Sequence, residues 1–241
     1  MATRTKQLSL DDLRRRTGRG GPRPGAGRPP GPRPCVHHVR RPRVRRDFPS
    51  HITLRVRGGI PSLRTRKFVR EFRRSLGQAC ERGEFRVVHY SLQRDHVHLI
   101  VESAGKEALG RGMKSSSARR ARAVNRPFGR RGRVLDGRYH LHVLRSRREV
   151  RNALAYVLLN VRKHWKGRRG VAPPLRLDQA SSSRWFDGWR RSGPAPRDAP
   201  EIRSPEVSRP RTWLLCKGWR RYGLIDPAEV PGSGSTSSQT T

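Results

Sequence analysis

Phe85-Arg86-Val87-Val88-His89-Tyr90-Ser91-Leu92-Gln93-Arg94-Asp95-His96-Val97-His98-Leu99-Ile100-Val101-Glu102 decides the fold. Residues 85–91 are β-branched and aromatic, and 96–102 are an apolar strand with a polar start. Gln93-Arg94-Asp95 is a tight polar connection, so the two segments read as a hairpin. Alternation along the second strand puts the His96 and His98 imidazoles on one face, with Val97 and Leu99 on the other. Two imidazoles so placed can hold one divalent metal ion.

Working outward, His51-Ile52-Thr53-Leu54-Arg55-Val56 alternates as a strand and ends at Gly58-Gly59 and Pro61. Ser62 is placed to cap a helix through Phe68, Val69, Phe72, Leu76 and Ala79, with Gly83 as its stop. Leu109 to about Ala123 is a second helix, rich in Arg and Ser, followed by a basic loop from Asn125 to Gly137. Tyr139–Leu144 is a fourth strand, and Arg147 to about Lys166 a third helix closed by Gly167. The order βαββαβ followed by α is an α+β, ferredoxin-like split-βαβ plan. It predicts an antiparallel sheet with two helices on one face and an extra C-terminal helix.

Residues 1–48 are a basic, Pro/Gly-rich arm expected to be disordered. Within it Gly27-Arg28-Pro29 resembles the core of an AT-hook, which inserts Arg28 into a narrow minor groove. The folded domain is expected over 49–167, a linker over 168–210, a short docking segment over 211–231 and a disordered tail over 232–241. Trp213–Ile225 is the apolar island of the docking segment.

The formal net charge is +38 and the pI about 12.0. Arginine enrichment can follow from a GC-rich genome, but the excess runs through the folded region as well. Nucleic acid is therefore the expected partner, because each neutralised phosphate releases a counterion. Arg119, Arg120, Arg122, Arg130 and Arg131 form the cluster expected to meet DNA phosphates. No apolar run approaches the ~20 residues that span a bilayer, and the start lacks the apolar core of a signal peptide. Three scattered cysteines without a C-x-x-C pair argue against a zinc finger or a disulfide framework. A cytoplasmic, nucleoid-associated location without membrane contact is expected.

His-x-His alone is weak: nine histidines in this chain yield about 0.3 such pairs by chance, and His140-Leu141-His142 is a second copy. Tyr156 supplies an independent test. With Leu154 at zero and 100° per residue, Val150, Leu154, Val157, Leu158, Val161 and Trp165 cluster around about 340°. Tyr156 falls at about 200° and Asn160 at about 240°, both away from that stripe. A phenol is a poor nucleophile at neutral pH and needs a metal, a base or a polarised phosphate. Mg²⁺ or Mn²⁺ held by His96, His98 and the Asn160 amide oxygen would supply that polarisation. The expected chemistry is strand cleavage by Tyr156, leaving a 5′-phosphotyrosine and a free 3′-hydroxyl.

These residues resemble the single-tyrosine HUH transposases, and among them the REP-associated tyrosine transposase branch. The likeness covers roughly residues 49–167 and includes His51-Ile52-Thr53-Leu54-Arg55, Gly137-Arg138-Tyr139 and Tyr156-Val157-Leu158-Leu159-Asn160. It implies a metal-dependent strand transferase that cleaves and rejoins single-stranded DNA near hairpins, with single-stranded and hairpin DNA as partners. Relatives of this type include dimers that exchange the tyrosine helix and single-chain forms, so monomer and dimer both stay open. The chain departs from the branch at Asp95, where Asn is usual, and at Val161, where Pro is usual and would end the helix. A domesticated copy that binds nucleic acid without cutting it is the alternative. A two-histidine phosphoesterase, suggested by His51-Ile52-Thr53, lacks its second His-x-Thr/Ser because position 98 is histidine.

Overall fold

The computed structural model describes residues 41–77, 81–163, 176–190 and 205–232. Arg28 and most of the N-terminal arm lie outside them, as does the tail from 233 onward.

Five strands form one sheet: β1 (Ser50–Arg55), β2 (Glu81–Arg82), β3 (Phe85–Leu92), β4 (His96–Ser103) and β5 (His140–Val143). Their spatial order is β2-β3-β4-β1-β5, and every pairing is antiparallel. The helices are α1 (Arg66–Gly77), α2 (Lys106–Asn125), α3 (Arg147–Leu158) and the single-turn α4 (Trp213–Cys216). Without the two-residue β2, the remaining order is that of the expected ferredoxin-like plan. Among the described residues no helix is long and apolar enough to cross a membrane.

Period-2 alternation divides the sheet between two cores. Ile52, Leu54, Val97, Leu99, Val101 and Val143 face one side, where Phe68, Phe72, Leu109 and Met113 of α1 and α2 close over them. Val88 and Ile100 face the other, under Val150, Leu154, Val157 and Leu158 of α3. The third helix thus takes the sheet face that the first two leave open. A register shift between Val87 and His89 returns Tyr90 and Leu92 to the core that holds Phe85 and Val87.

Several boundaries differ from expectation. Ser62 does not cap α1. Thr65 lies nearer its start, with Oγ1 accepting from the Phe68 N–H at 3.4 Å, and the helix begins at Arg66. The second helix is longer than its apolar pattern, running from Lys106 to Asn125. The third helix does not continue smoothly to Lys166. It stops at Leu158, Leu159 leaves helical geometry (φ −109, ψ 15), and 160–163 form a separate helical turn. Proline is therefore not needed at 161 to end it.

The expected linker is partly folded onto the domain. Leu92 donates its N–H to the Ala180 carbonyl, Ser182 Oγ accepts from the Tyr90 N–H, and Ser208 donates to the Val87 carbonyl. Arg64 grips buried Asp178 through two nitrogens at 2.9 and 2.7 Å. Glu206 accepts from Tyr90 Oη at 2.7 Å and from Arg184 at 2.8 Å. Ion pairing and buried hydrogen bonds seat these segments on the domain. Within 211–231, Leu214, Leu215, Trp219 and Ile225 are buried together with Val150, Leu154 and Val157 of α3. At the other end Val44 is buried, so packing starts before residue 49.

Candidate active site

Because Val97 and Leu99 must enter the α1/α2 core, His96 and His98 are turned to the α3 side. The same alternation turns His51 and Thr53 there from β1, and His140 and His142 from β5. Register sets Thr53 opposite both His98 and His140, and His51 opposite His142. Five histidines of β4, β1 and β5 therefore share one sheet face, and the second His-x-His belongs to the row that flanks the first.

His96 Nδ1 lies 2.7 Å from Asp95 Oδ1. A carboxylate accepts, so this nitrogen is assigned the proton, which leaves Nε2 as the nitrogen available to a ligand. Burial tends to raise the Asp95 carboxyl, but the His96 hydrogen bond and the charges of His96 and Arg55 hold it below the usual range. His98 Nδ1 lies 3.1 Å from both Thr53 Oγ1 and His51 Nε2. Burial, reinforced by repulsion from His142 and His140, pushes His51 down to about 4. His51 is thus neutral near pH 7 and able to accept the His98 Nδ1 proton. In the tautomer with both Nδ1 atoms protonated, the two Nε2 lone pairs face one another across 3.0 Å. Opposed lone pairs repel unless a cation lies between them. Two imidazole nitrogens at about 2.1 Å from one ion, roughly at right angles, stand about 3 Å apart. The spacing and the outer hydrogen bonds both suit a divalent metal.

Helix α3 brings the phenol. Ser146 caps it by accepting from the Glu149 N–H at 3.2 Å, while Glu149 reaches back to the Arg145 N–H at 2.6 Å. The buried stripe then fixes the helix rotation, and Tyr156 leaves the core toward the histidines. Its ring stands edge-on to His98 with centroids 5.1 Å apart, and 5.9 Å from His51. All three rings come from one chain. Lys163, beyond the break at Leu159, places its ammonium 5.0 Å from the Tyr156 ring centre. It was not singled out in the sequence, although its seven-residue spacing from Tyr156 is a helical repeat.

Asn160 is fully buried, and neither amide atom has a hydrogen-bond partner among the described residues. An orphaned buried amide is costly and suits a ligand's oxygen donor. Among the described residues no three His, Cys, Asp or Glu side chains group closely enough to hold a metal. The Asn160 amide oxygen is a donor of the type expected as the third ligand beside His96 and His98.

The arginine cluster divides. Arg119, Arg120 and Arg122 lie on α2, on the sheet face opposite α3. Arg130 sits in the following loop and donates to the Gly59 carbonyl at 3.0 Å, a bond that anchors the loop. Arg131 beside it is exposed. That loop runs back to the sheet at Val134, whose carbonyl accepts from the Arg57 N–H. It is thus at the His96 end of β4, since Arg55 is paired with His96.

Residues 49–157 match the family model described as "Transposase IS200 like". No curated protein matches the chain. Among solved structures, the REP-associated tyrosine transposase bound to a REP hairpin is similar at 15% identity and a TM-score of 0.41. That likeness covers 57% of this chain and 89% of the other. The family model spans β1 through the Tyr156 turn of α3, the stretch that carries both His-x-His pairs and the phenol. The likeness to the IS200-like transposases thus covers this domain, a little under half of the chain.

Proposed function

We propose that this chain is a single-tyrosine strand transferase of the REP-associated branch, cutting and rejoining single-stranded DNA beside a hairpin. The observation that carries the reading is the packing of the Tyr156 ring against His98 while His96 and His98 turn their Nε2 atoms to one point. The hairpin-adjacent target follows from the sequence resemblance.

In this reading Tyr156 Oη attacks a backbone phosphorus. The new P–Oη bond replaces the P–O3′ bond, the phenolic proton leaves to solvent, and the departing 3′ oxygen takes up a proton. The 5′ phosphate stays on Tyr156 as an ester, from which a second 3′-hydroxyl can recover it by the reverse steps. His96, His98 and Asn160 would hold Mg²⁺ or Mn²⁺, which when bound supplies Lewis-acid polarisation of the phosphate. Asp95, Thr53 and His51 orient the two imidazoles. Lys163 adds positive charge beside the phenol, where the phosphate must sit. Packing against His98 and His51 orients the Tyr156 ring before DNA arrives.

The test is covalent capture. Full-length protein is incubated with labelled hairpin DNA carrying a single-stranded flank and Mn²⁺, then denatured in SDS. An adduct that depends on metal and disappears in Tyr156→Phe is expected. Retained binding with no adduct in the wild type would overturn the catalytic reading in favour of a domesticated DNA-binding protein.

A further inference from the structure

The far end of the sheet carries a second feature. Between β4 and the docking segment opens a cavity of about 680 Å³, lined by Arg46, Phe48, Glu102, Arg145, Arg211 and Trp213 among others. Trp213 is one of two large hydrophobic side chains left exposed among the described residues, at 50%. It is not loose. A Cβ on Gly218 would come within 2.5 Å of its ring, so the indole rests directly on that backbone. The Arg147 guanidinium lies 5.0 Å from the ring centre.

The carboxylates of this cavity are already engaged. Buried Glu102 takes Arg86 at 3.1 Å and the backbone N–H groups of Arg211 and Thr212 at 3.0 and 2.8 Å. Glu84 pairs with Arg46 and Asp47 with Arg45. Arg145 and Arg147 have no carboxylate partner among the described residues. What faces an incoming ligand is a fixed aromatic ring and the uncompensated Arg145 guanidinium. This is the combination that holds single-stranded nucleic acid, with bases stacking and phosphates paired to arginine.

Position strengthens the match. Helix α3 begins at Arg147, beside the cavity, and reaches Tyr156 nine residues later, roughly 14 Å away. A strand with one phosphate at Tyr156 reaches the cavity by following that helix. Trp213 and Arg211 lie outside the family-matched residues 49–157, so this chain completes the cavity with a segment of its own. We propose that the cavity holds the single-stranded flank of the DNA substrate, with a base against Trp213 and a phosphate on Arg145. The proposal rests on the strand-transfer reading for the identity of that substrate.

The test compares two probes by fluorescence anisotropy in EDTA: a blunt hairpin, and the same hairpin with an oligothymidine flank of about eight nucleotides. Wild type is expected to bind the flanked probe about tenfold more tightly. Trp213→Ala and Arg145→Ala should each weaken flanked binding by about fivefold or more, with blunt-probe affinity held within about twofold. Trp213→Phe should retain most of the preference. Equal affinity of wild type for both probes overturns the proposal, as does a flank preference untouched by Arg145→Ala. Arg145 has an exposed side chain, so it decides the matter if Trp213→Ala does not fold. Displacement of the flank by an oligoglutamate peptide, with no flank preference in its absence, would assign the cavity to an acidic protein partner instead. If flank preference persists while no Tyr156 adduct forms, this proposal stands and the strand-transfer reading falls.

Discussion

His98 on β4 and Tyr156 on α3 stand edge to face, their ring centres 5.1 Å apart at an interplanar angle of 79°. The contact joins a sheet residue to a helix residue that the chain does not meet until another helix and strand have passed. It makes the proposed nucleophile part of a packed cluster and not a free surface side chain. Replacing the phenol by a phenyl ring keeps that packing. Tyr156→Phe should therefore leave melting temperature and hairpin affinity near wild type while covalent adduct falls by ~10³-fold or more. A thermal melt and an SDS gel on the same preparation check both halves.

Asp95 stands where the branch carries Asn, and the structure indicates why either residue works. Both side chains present an oxygen to the His96 Nδ1 proton. Asp95→Asn should change Mn²⁺ affinity little, whereas Asp95→Ala should lower it by about 10–100-fold. Isothermal titration with Mn²⁺, without DNA, reads this directly. Equal losses in both variants would show that charge, and not orientation of His96, is what Asp95 contributes.

Thr53→Val removes one of the two acceptors of His98 Nδ1 at nearly constant volume. A fall in Mn²⁺ affinity of roughly tenfold is expected, with Thr53→Ser restoring most of it. Unchanged affinity in Thr53→Val would assign the orienting role to His51 alone.

Acid should loosen the fold through His89. Its Nδ1 meets Ser182 Oγ at 3.1 Å beneath the tail segment, and burial pushes the ring down to about 4, with Asp187 weakly opposing. An unfolded histidine titrates near 6.5. Between those values the unfolded chain binds a proton that the native chain refuses, so stability is full above about pH 6.5 and declines below it. From this group alone a loss of about 2 kcal/mol by pH 5 is expected. Urea unfolding across pH 5–7 should show a shallower decline in His89→Gln. An identical decline in the two proteins would place the acid sensitivity elsewhere.

Gly112 lies in the middle of α2 against Phe85, and a Cβ there would run into the phenyl ring. Although alanine is the better helix former, Gly112→Ala should destabilise the protein by about 1–3 kcal/mol through overpacking. A rise in denaturation midpoint would mean that Phe85 can swing aside at no cost.

The hairpin, the shared face of His96 and His98 and the exit of Tyr156 from the apolar stripe were all legible in residue order, because each follows from a local period. The helix break at Leu159 was not. No proline or glycine marks it, and tertiary packing ends the helix where local propensity would extend it. The folded tail was hidden for a similar reason. Asp178 and Glu206 sit in segments that look like solvated linker, and only their distant partners Arg64, Tyr90 and Arg184 make burial favourable. The role of Thr53 beside His98 was equally invisible, since strand register alone sets them opposite each other.

By itself the sequence determined the strand and helix order, the shared face of His96 and His98, and the strongly basic character. These are properties of side-chain period and composition, which do not depend on what lies far away in the chain. Only the tertiary structure decided that Tyr156 comes to His98, that Asp95, Thr53 and His51 orient the imidazoles, and that Trp213 forms one wall of a cavity. Each of those is a meeting of elements distant along the chain, and which elements meet is set by how two sheet faces and the tail are covered together.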